Sequence, residues 1–262
     1  MLEVFGVCMK ALGNRERSIR VYLPKGYEAG RKKYPVVYMH DGQNVFEDEG
    51  AFGGVSLNLK KYLDDSGTEV IVVTIDRHPD FDGRVNETCP WVNGDNTIKL
   101  LGEPSELGGE GDAYLSFIVD ELKPLIDQKY RTDANQSAMA GISLGGLITV
   151  YAACKYPQIF SRIAAFSSGF YRNQREIEEF IKGSDLSPIE YAYMDWGTKE
   201  GGNPETWQGF IDSNQAVAEI LKKKVRNFTY EVVQEGEHHY FLFKNRVPGV
   251  IASIFGESRD EN

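Results

Sequence analysis

The feature that most constrains this chain is the alternation of short β-branched or aromatic runs with longer amphipathic segments. Val21–Leu23, Val36–Met39, Val70–Ile75, Ser137–Ala140, Ile163–Phe166, Tyr191–Met194 and Thr229–Val233 read as strands. Several are apolar at successive positions, as strands buried on both faces must be. Between them, Tyr114, Phe117, Ile118, Leu122 and Ile126 fall at helical spacing, with Pro124 as a kink or early stop. Leu144–Lys155 reads as a helix that ends at Tyr156-Pro157, because the residue before proline disfavours helical backbone. Phe210, Ala216, Ile220 and Leu221 mark another helix and Phe241–Phe255 a last one, ahead of a polar Glu257–Asn262 tail. This order predicts an α/β fold, a mainly parallel sheet with helices on both faces. No internal repeat or low-complexity linker interrupts it, so residues 1–262 are expected to form one domain.

The segment 77–111 breaks the pattern, with little periodicity and many glycines and prolines. Long irregular stretches inside compact domains are usually functional, so it is expected to wall a substrate cleft, with Trp91, Arg84 and Asn86 as substrate-binding candidates.

Composition narrows the partners. The chain has 29 Lys and Arg against 39 Asp and Glu, a formal net charge of −10. Nucleic acid and anionic membranes need clustered cations, so neither is expected as a partner. The nearest basic run, Lys222–Lys224, suits the last turn of a helix. No stretch approaches the ~18 apolar residues of a membrane span. Met1–Met9 carries Glu3 and has neither a basic start nor a long apolar run, so it does not read as a signal peptide. Cys8, Cys89 and Cys154 are odd in number and lack metal spacing. They read as free thiols in a reducing, cytoplasmic compartment, with no metal or cofactor expected. The oligomeric state stays open, a homo-oligomer included.

The strongest chemical signal is Gly141-Ile142-Ser143-Leu144-Gly145. The bare Gly-x-Ser-x-Gly pattern is weak in a chain with 27 glycines. Its setting is stronger, since a strand-like run leads in and a helix of small and apolar residues leads out. That is the strand–turn–helix a nucleophile elbow requires, with Ser143 as nucleophile. A serine near its ordinary pKa needs a base. His238 and His239 both follow the strand-like run Thr229–Val233 and the turn Gln234-Glu235-Gly236, where such a base belongs; His238 is the choice and His239 its neighbour. The orienting acid should follow the preceding strand. Glu200, in the loop beyond, is favoured over Asp195 at the strand end, because that loop has slack to reach the imidazole. The backbone N–H groups of Leu144 and Gln43 are the expected oxyanion donors, and His40 a structural turn histidine with satisfied hydrogen bonds.

With these residues in place, the chain resembles the putative-esterase family of α/β-hydrolases, which groups esterase D-like, feruloyl, acetylxylan and ferric-siderophore esterases with mycolyltransferases. The resemblance runs from about Arg20 to Phe255. It is carried by Tyr34-Pro35 through Asn44, Gly83-Arg84-Val85-Asn86-Glu87 with Pro90-Trp91, the serine elbow, Tyr156-Pro157-Gln158-Ile159-Phe160 and Phe166-Ser167-Ser168. It continues in Gly197-Thr198-Lys199-Glu200 and Gly236-Glu237-His238. The family pattern implies the same acid and base, Glu200 and His238, while its usual tyrosine after Asn-Glu is Thr88 here. It implies a single-domain α/β-hydrolase fold and a serine esterase acting on a small acyl, sugar or aryl ester. An acyltransferase or thioesterase could use the same residues. A non-catalytic binding protein is disfavoured, because every catalytic position holds a competent residue type. The acidic balance leans toward neutral esters and away from nucleotide-like acyl carriers.

Overall fold

In a computed structural model, which describes residues 1–94, 97–98, 102 and 104–256, eight strands form one sheet. They are β1 (Leu2–Met9), β2 (Arg15–Tyr22), β3 (Tyr34–His40), β4 (Ile71–Ile75), β5 (Thr132–Ile142), β6 (Arg162–Phe166), β7 (Tyr191–Gly197) and β8 (Phe228–Val233). The spatial order is β1-β2-β4-β3-β5-β6-β7-β8. Pairing is antiparallel for β1 with β2 and β2 with β4, and parallel everywhere else. The mainly parallel α/β sheet expected from the sequence is present. From β3 the chain steps to β4 on one side, then crosses back to place β5 on the other. Ligand sites in such sheets lie outside the carboxyl ends of the strands at this switch.

Side chains alternate faces along a strand, and here both faces are apolar. Val36, Tyr38, Ile71, Val73, Met139, Ile163 and Met194 pack with the helices Leu144–Lys155, Gln174–Gly183 and Pro204–Lys224. Val37, Met39, Val72, Ala138, Ala140 and Tyr193 pack with Leu59–Ser66 and Val247–Ser253 on the other side.

The structure departs from the sequence reading at several elements. The edge strand β1 lies outside the strand-like runs of the sequence and β2 matches one only at its end, because Arg15–Arg20 is mostly polar on its outer face. The expected helix Phe241–Phe255 is two, Tyr240–Phe243 and Val247–Ser253. The chain continues helically through Pro124, which sits in the first turn of Lys123–Lys129 directly after a π-helical stretch, Phe117–Leu122. The wider π turn gives the proline ring room that an α-turn denies. Within 77–111, Phe81–Thr88 is a helix, and Val92 bridges Gly108. The tail Glu257–Asn262 lies outside the described residues. Among those, no helix is long and apolar enough to cross a membrane.

A buried ion pair fastens that helix to the sheet. Arg17 on β2 meets Glu87 with bonds of 2.9 and 2.8 Å, both side chains almost fully buried. Arg15 spans Glu87 at 3.2 Å and Glu110 at 2.6 Å. Removing one partner of such a pair strands the other charge in the interior. Glu87→Ala is therefore expected to cost about 3–5 kcal/mol of stability, read by urea unfolding.

Candidate active site

Ser143 sits between the end of β5 and the helix Leu144–Lys155, with φ 61° and ψ −121°. A non-glycine residue there costs roughly 1–3 kcal/mol and persists only where the surroundings impose it. They do so here. A Cβ on Gly141 would lie 2.2 Å from the Gly145 carbonyl oxygen, so only glycine lets the turn close. The Ser143 N–H donates to the Phe166 carbonyl at 2.9 Å, and its carbonyl accepts from Gly146 at 3.0 Å and Gly169 at 2.9 Å. Both sides of the peptide are therefore fixed. Among the described residues no hydrogen bond reaches Ser143 Oγ.

Parallel register aligns the neighbouring strand ends. Ile142, Phe166, Asp195 and Glu231 lie side by side across β5 to β8, so the residues that follow open onto one end of the sheet. The Glu200 carboxylate reaches His238 Nδ1 at 2.6 Å. Its other oxygen accepts from the Gly197 N–H at 2.9 Å and from the Ser167 hydroxyl. Burial pushes the Glu200 carboxyl up, but the hydrogen bond and charge of His238, with Ser167 and Gly197, hold it below the usual carboxylate range. The His238 ring lies edge-on to Phe210 and Phe243, at 5.9 and 5.3 Å, and its side chain keeps 36% of its surface in solvent. Apolar walls thus fix the ring while one side stays open. His239 is exposed and caps the helix Tyr240–Phe243, its Nδ1 accepting from the Phe241 N–H at 3.1 Å.

Asp195 is fully buried, and its carboxylate is bound by Tyr193 and Arg246. Arg246 grips it, Nε to Oδ2 at 2.8 Å and Nη2 to Oδ1 at 3.2 Å. Burial dominates its titration and pushes it above the ordinary range despite the arginine. Of the two candidate acids, the structure brings Glu200 and not Asp195 to His238.

The loop after β3 carries Asp41 in left-handed backbone, φ 55°, and then the turn Gly42–Asn44. The Gln43 side-chain oxygen accepts from the Arg77 N–H at 3.0 Å, and among the described residues the Gln43 backbone N–H has no backbone acceptor. Leu144 opens its helix, where the first N–H groups have no partner within the helix. His40 is buried. Its Nδ1 meets the Tyr114 hydroxyl at 2.9 Å, but Nε2 has no partner among the described residues, so the expectation of a satisfied histidine holds for one nitrogen only. Burial pushes this imidazole down to about 4, so it stays neutral near pH 7.

The three substrate-binding candidates of the irregular segment are engaged by the protein itself. Arg84 pairs with Asp41 through two bonds of 2.7 Å. Burial would raise Asp41, and the Arg84 guanidinium overcomes it to hold the carboxyl below its ordinary value. Asn86 Oδ1 accepts from the Gly108 N–H at 2.7 Å. Trp91 stands edge-on to Tyr151 at 5.1 Å and Phe180 at 5.8 Å. These contacts hold all three residues in place within the irregular segment. The residues missed in the sequence are Ser167 and Arg246. Ser167 carried a faint signal, lying just past a strand end beside Ser168-Gly169, whereas Arg246 carried none.

A family model described as Putative esterase matches residues 10–252. The uncharacterized protein YbbA of Bacillus subtilis (strain 168) is 27% identical over 257 residues, covering 94% of this chain and 95% of that protein. An endo-1,4-beta-xylanase/feruloyl esterase of Xylanibacter ruminicola is 27% identical over 234 residues, 86% of this chain but only 27% of that longer protein. The solved structure of the siderophore hydrolase EstB from Aspergillus nidulans shares the fold, with a TM-score of 0.76 at 16% identity over 100% of this chain and 97% of that one. The elbow serine, the carboxylate-bound histidine and the α/β sheet that carries them thus occur in a chain that belongs to the Putative esterase family, an ester hydrolase of α/β-hydrolase fold.

Proposed function

We propose that the chain is a serine carboxylic-ester hydrolase working through an acyl-enzyme, with Ser143 as nucleophile, His238 as base and Glu200 as orienting acid. The observation that carries this reading is the 2.6 Å contact of Glu200 with His238 Nδ1, at the same sheet end as the strained Ser143 turn. With Nδ1 bound to the carboxylate, Nε2 is the nitrogen left to take the Ser143 proton. The hydroxyl oxygen attacks the ester carbonyl, and the oxyanion that forms accepts from the Gln43 and Leu144 N–H groups. His238 returns the proton to the leaving alcohol, then activates the water that releases the acid. The open side of the His238 ring gives that water a path.

For the substrate we propose a small acyl, sugar or aryl ester. Phe52 and Phe241 are 63% and 57% exposed on segments that follow β3 and β8, and Arg77 lies 4.1 Å over the Phe52 ring. Aromatic faces of this kind suit a planar group such as a feruloyl moiety, and the relative named as an endo-1,4-beta-xylanase/feruloyl esterase points the same way. The free thiols of Cys8, Cys89 and Cys154 support a reducing, cytoplasmic setting.

Ser143→Ala is expected to fold and to lower hydrolysis of a small aryl ester by about 10³-fold or more, since the acyl-enzyme route is gone. Activity within about tenfold of the parent would exclude Ser143 as nucleophile.

The other two roles separate in paired variants. His238→Ala should lose about as much as Ser143→Ala, because the three groups act as a unit, while His239→Ala loses far less. Glu200→Gln should lower kcat by about 10²- to 10⁴-fold with KM little changed. Asp195→Asn should lower mainly the melting temperature, with a much smaller loss in kcat. Steady-state kinetics and thermal melts on the purified variants check both rankings, and the reverse order would reassign the base or the acid.

A further inference from the structure

Behind Glu200 lies a group of side chains that the proposed reaction leaves unused. Arg246 Nη2 donates to Ser167 Oγ at 3.0 Å while the same guanidinium grips Asp195. The Ser167 hydroxyl reaches Glu200 Oε1. Ser167 and Asp195 are fully buried and Glu200 is 1% exposed, so water does not compete for these bonds.

The donor inventory fixes the direction of every bond. A guanidinium only donates, so Arg246 occupies a lone pair of Ser167 Oγ. An ionised carboxylate only accepts, so the single hydroxyl proton of Ser167 must lie on Glu200. The backbone enforces the same aim. Ser167 has φ 43°, a left-handed conformation that serine rarely takes, and its N–H donates to the Asp195 carbonyl at 2.7 Å. A strained residue pinned at a functional site is a signature of positioning.

We propose that Ser167 is a positioning residue for the triad acid: the Arg246–Asp195 pair orients its hydroxyl so that Glu200 is held ionised and aimed at His238. This inference rests on the triad reading above and adds to it a role for three residues outside the triad. Glu200 is faced by His238 from beyond β8, by Ser167 from the end of β6, and by the Gly197 N–H and the Asp195 charge from β7. Asp195 is faced in turn by Arg246 and the Tyr193 hydroxyl, which also lies 3.4 Å from Glu231. Lys199 pairs with Glu235. Phe210 and Phe243 stand edge-on to the imidazole with apolar surface and leave one side of it to solvent.

The test is the pH profile of kcat/KM on a small aryl ester, whose acid limb reports the proton affinity of the coupled His238–Glu200 pair. Ser167→Gly suits a positive φ, so it removes the hydroxyl without opposing the backbone. Losing that donor makes the pair hold its proton more tightly, and the acid limb should move up by roughly 0.5–1 pH unit. Asp195→Asn leaves the Arg246 cation unneutralised beside the pair. That charge disfavours the imidazolium, so the limb should move down by a comparable amount. A purely structural ion pair would lower the melting temperature and leave both limbs where the parent has them. That outcome, or displacement of both variants in the same direction, overturns the proposal. Ser143→Ala in the same series keeps the two claims apart. If it retains activity, the triad reading falls and takes this proposal with it. If it loses activity while both limbs stay in place, only the positioning role of Ser167 falls.

Discussion

Everything at this site depends on one turn that the backbone does not favour. Ser143 holds φ 61° because Gly141 and Gly145 approach more closely than any side chain would permit, and because its N–H and carbonyl are bonded on both sides. The Phe166 carbonyl that accepts its N–H belongs to β6, so the serine is set by the sheet and not by its own loop. Helix Leu144–Lys155, buried along almost its whole length, closes the turn from the other direction. The strain is borne by a core that would have to unpack to release it.

Around that turn, charge pairs do the aligning that apolar contacts cannot, because they fix direction as well as distance. Asp41–Arg84 ties the loop after β3 to the helix Phe81–Thr88, and Arg17–Glu87 ties the same helix to β2. Asp195–Arg246 joins the end of β7 to the start of the helix Val247–Ser253. Buried pairs add little net stability. Their value here lies in register, since each ties two segments that are far apart in sequence at a fixed distance.

The sequence made the centre of the sheet legible and its margins less so. Strands β3 to β7 are apolar on both faces, and that pattern has few alternatives. β1 and the first part of β2 are less legible because a partly exposed strand mixes charge with aliphatic residues, and Arg15–Arg20 carries three arginines. The helix Phe81–Thr88 escaped because Gly83 and polar residues dilute its periodicity; it is held by Glu87 and Arg84, contacts between residues far apart in sequence. The site divided in the same way. Ser143, His238 and Glu200 could be named because strand–turn–helix order and loop position limit where such groups can stand. The Arg246–Ser167–Glu200 chain could not, since it joins three loops that only the parallel register of β6, β7 and β8 brings together.

The placement of β8 gives the site an uneven durability. Among the described residues this strand is the last of the sheet and pairs only with β7, and four of its six residues are exposed. Ser143 rides on a central strand, whereas His238 rides on this rim. Segments with little buried surface open at a lower free energy than the whole fold. The rim therefore opens at a lower free energy than the serine turn, which separates His238 from Ser143 while that turn remains intact. On the proposed mechanism, activity would then fall on mild heating before the sheet melts, and return on cooling without refolding.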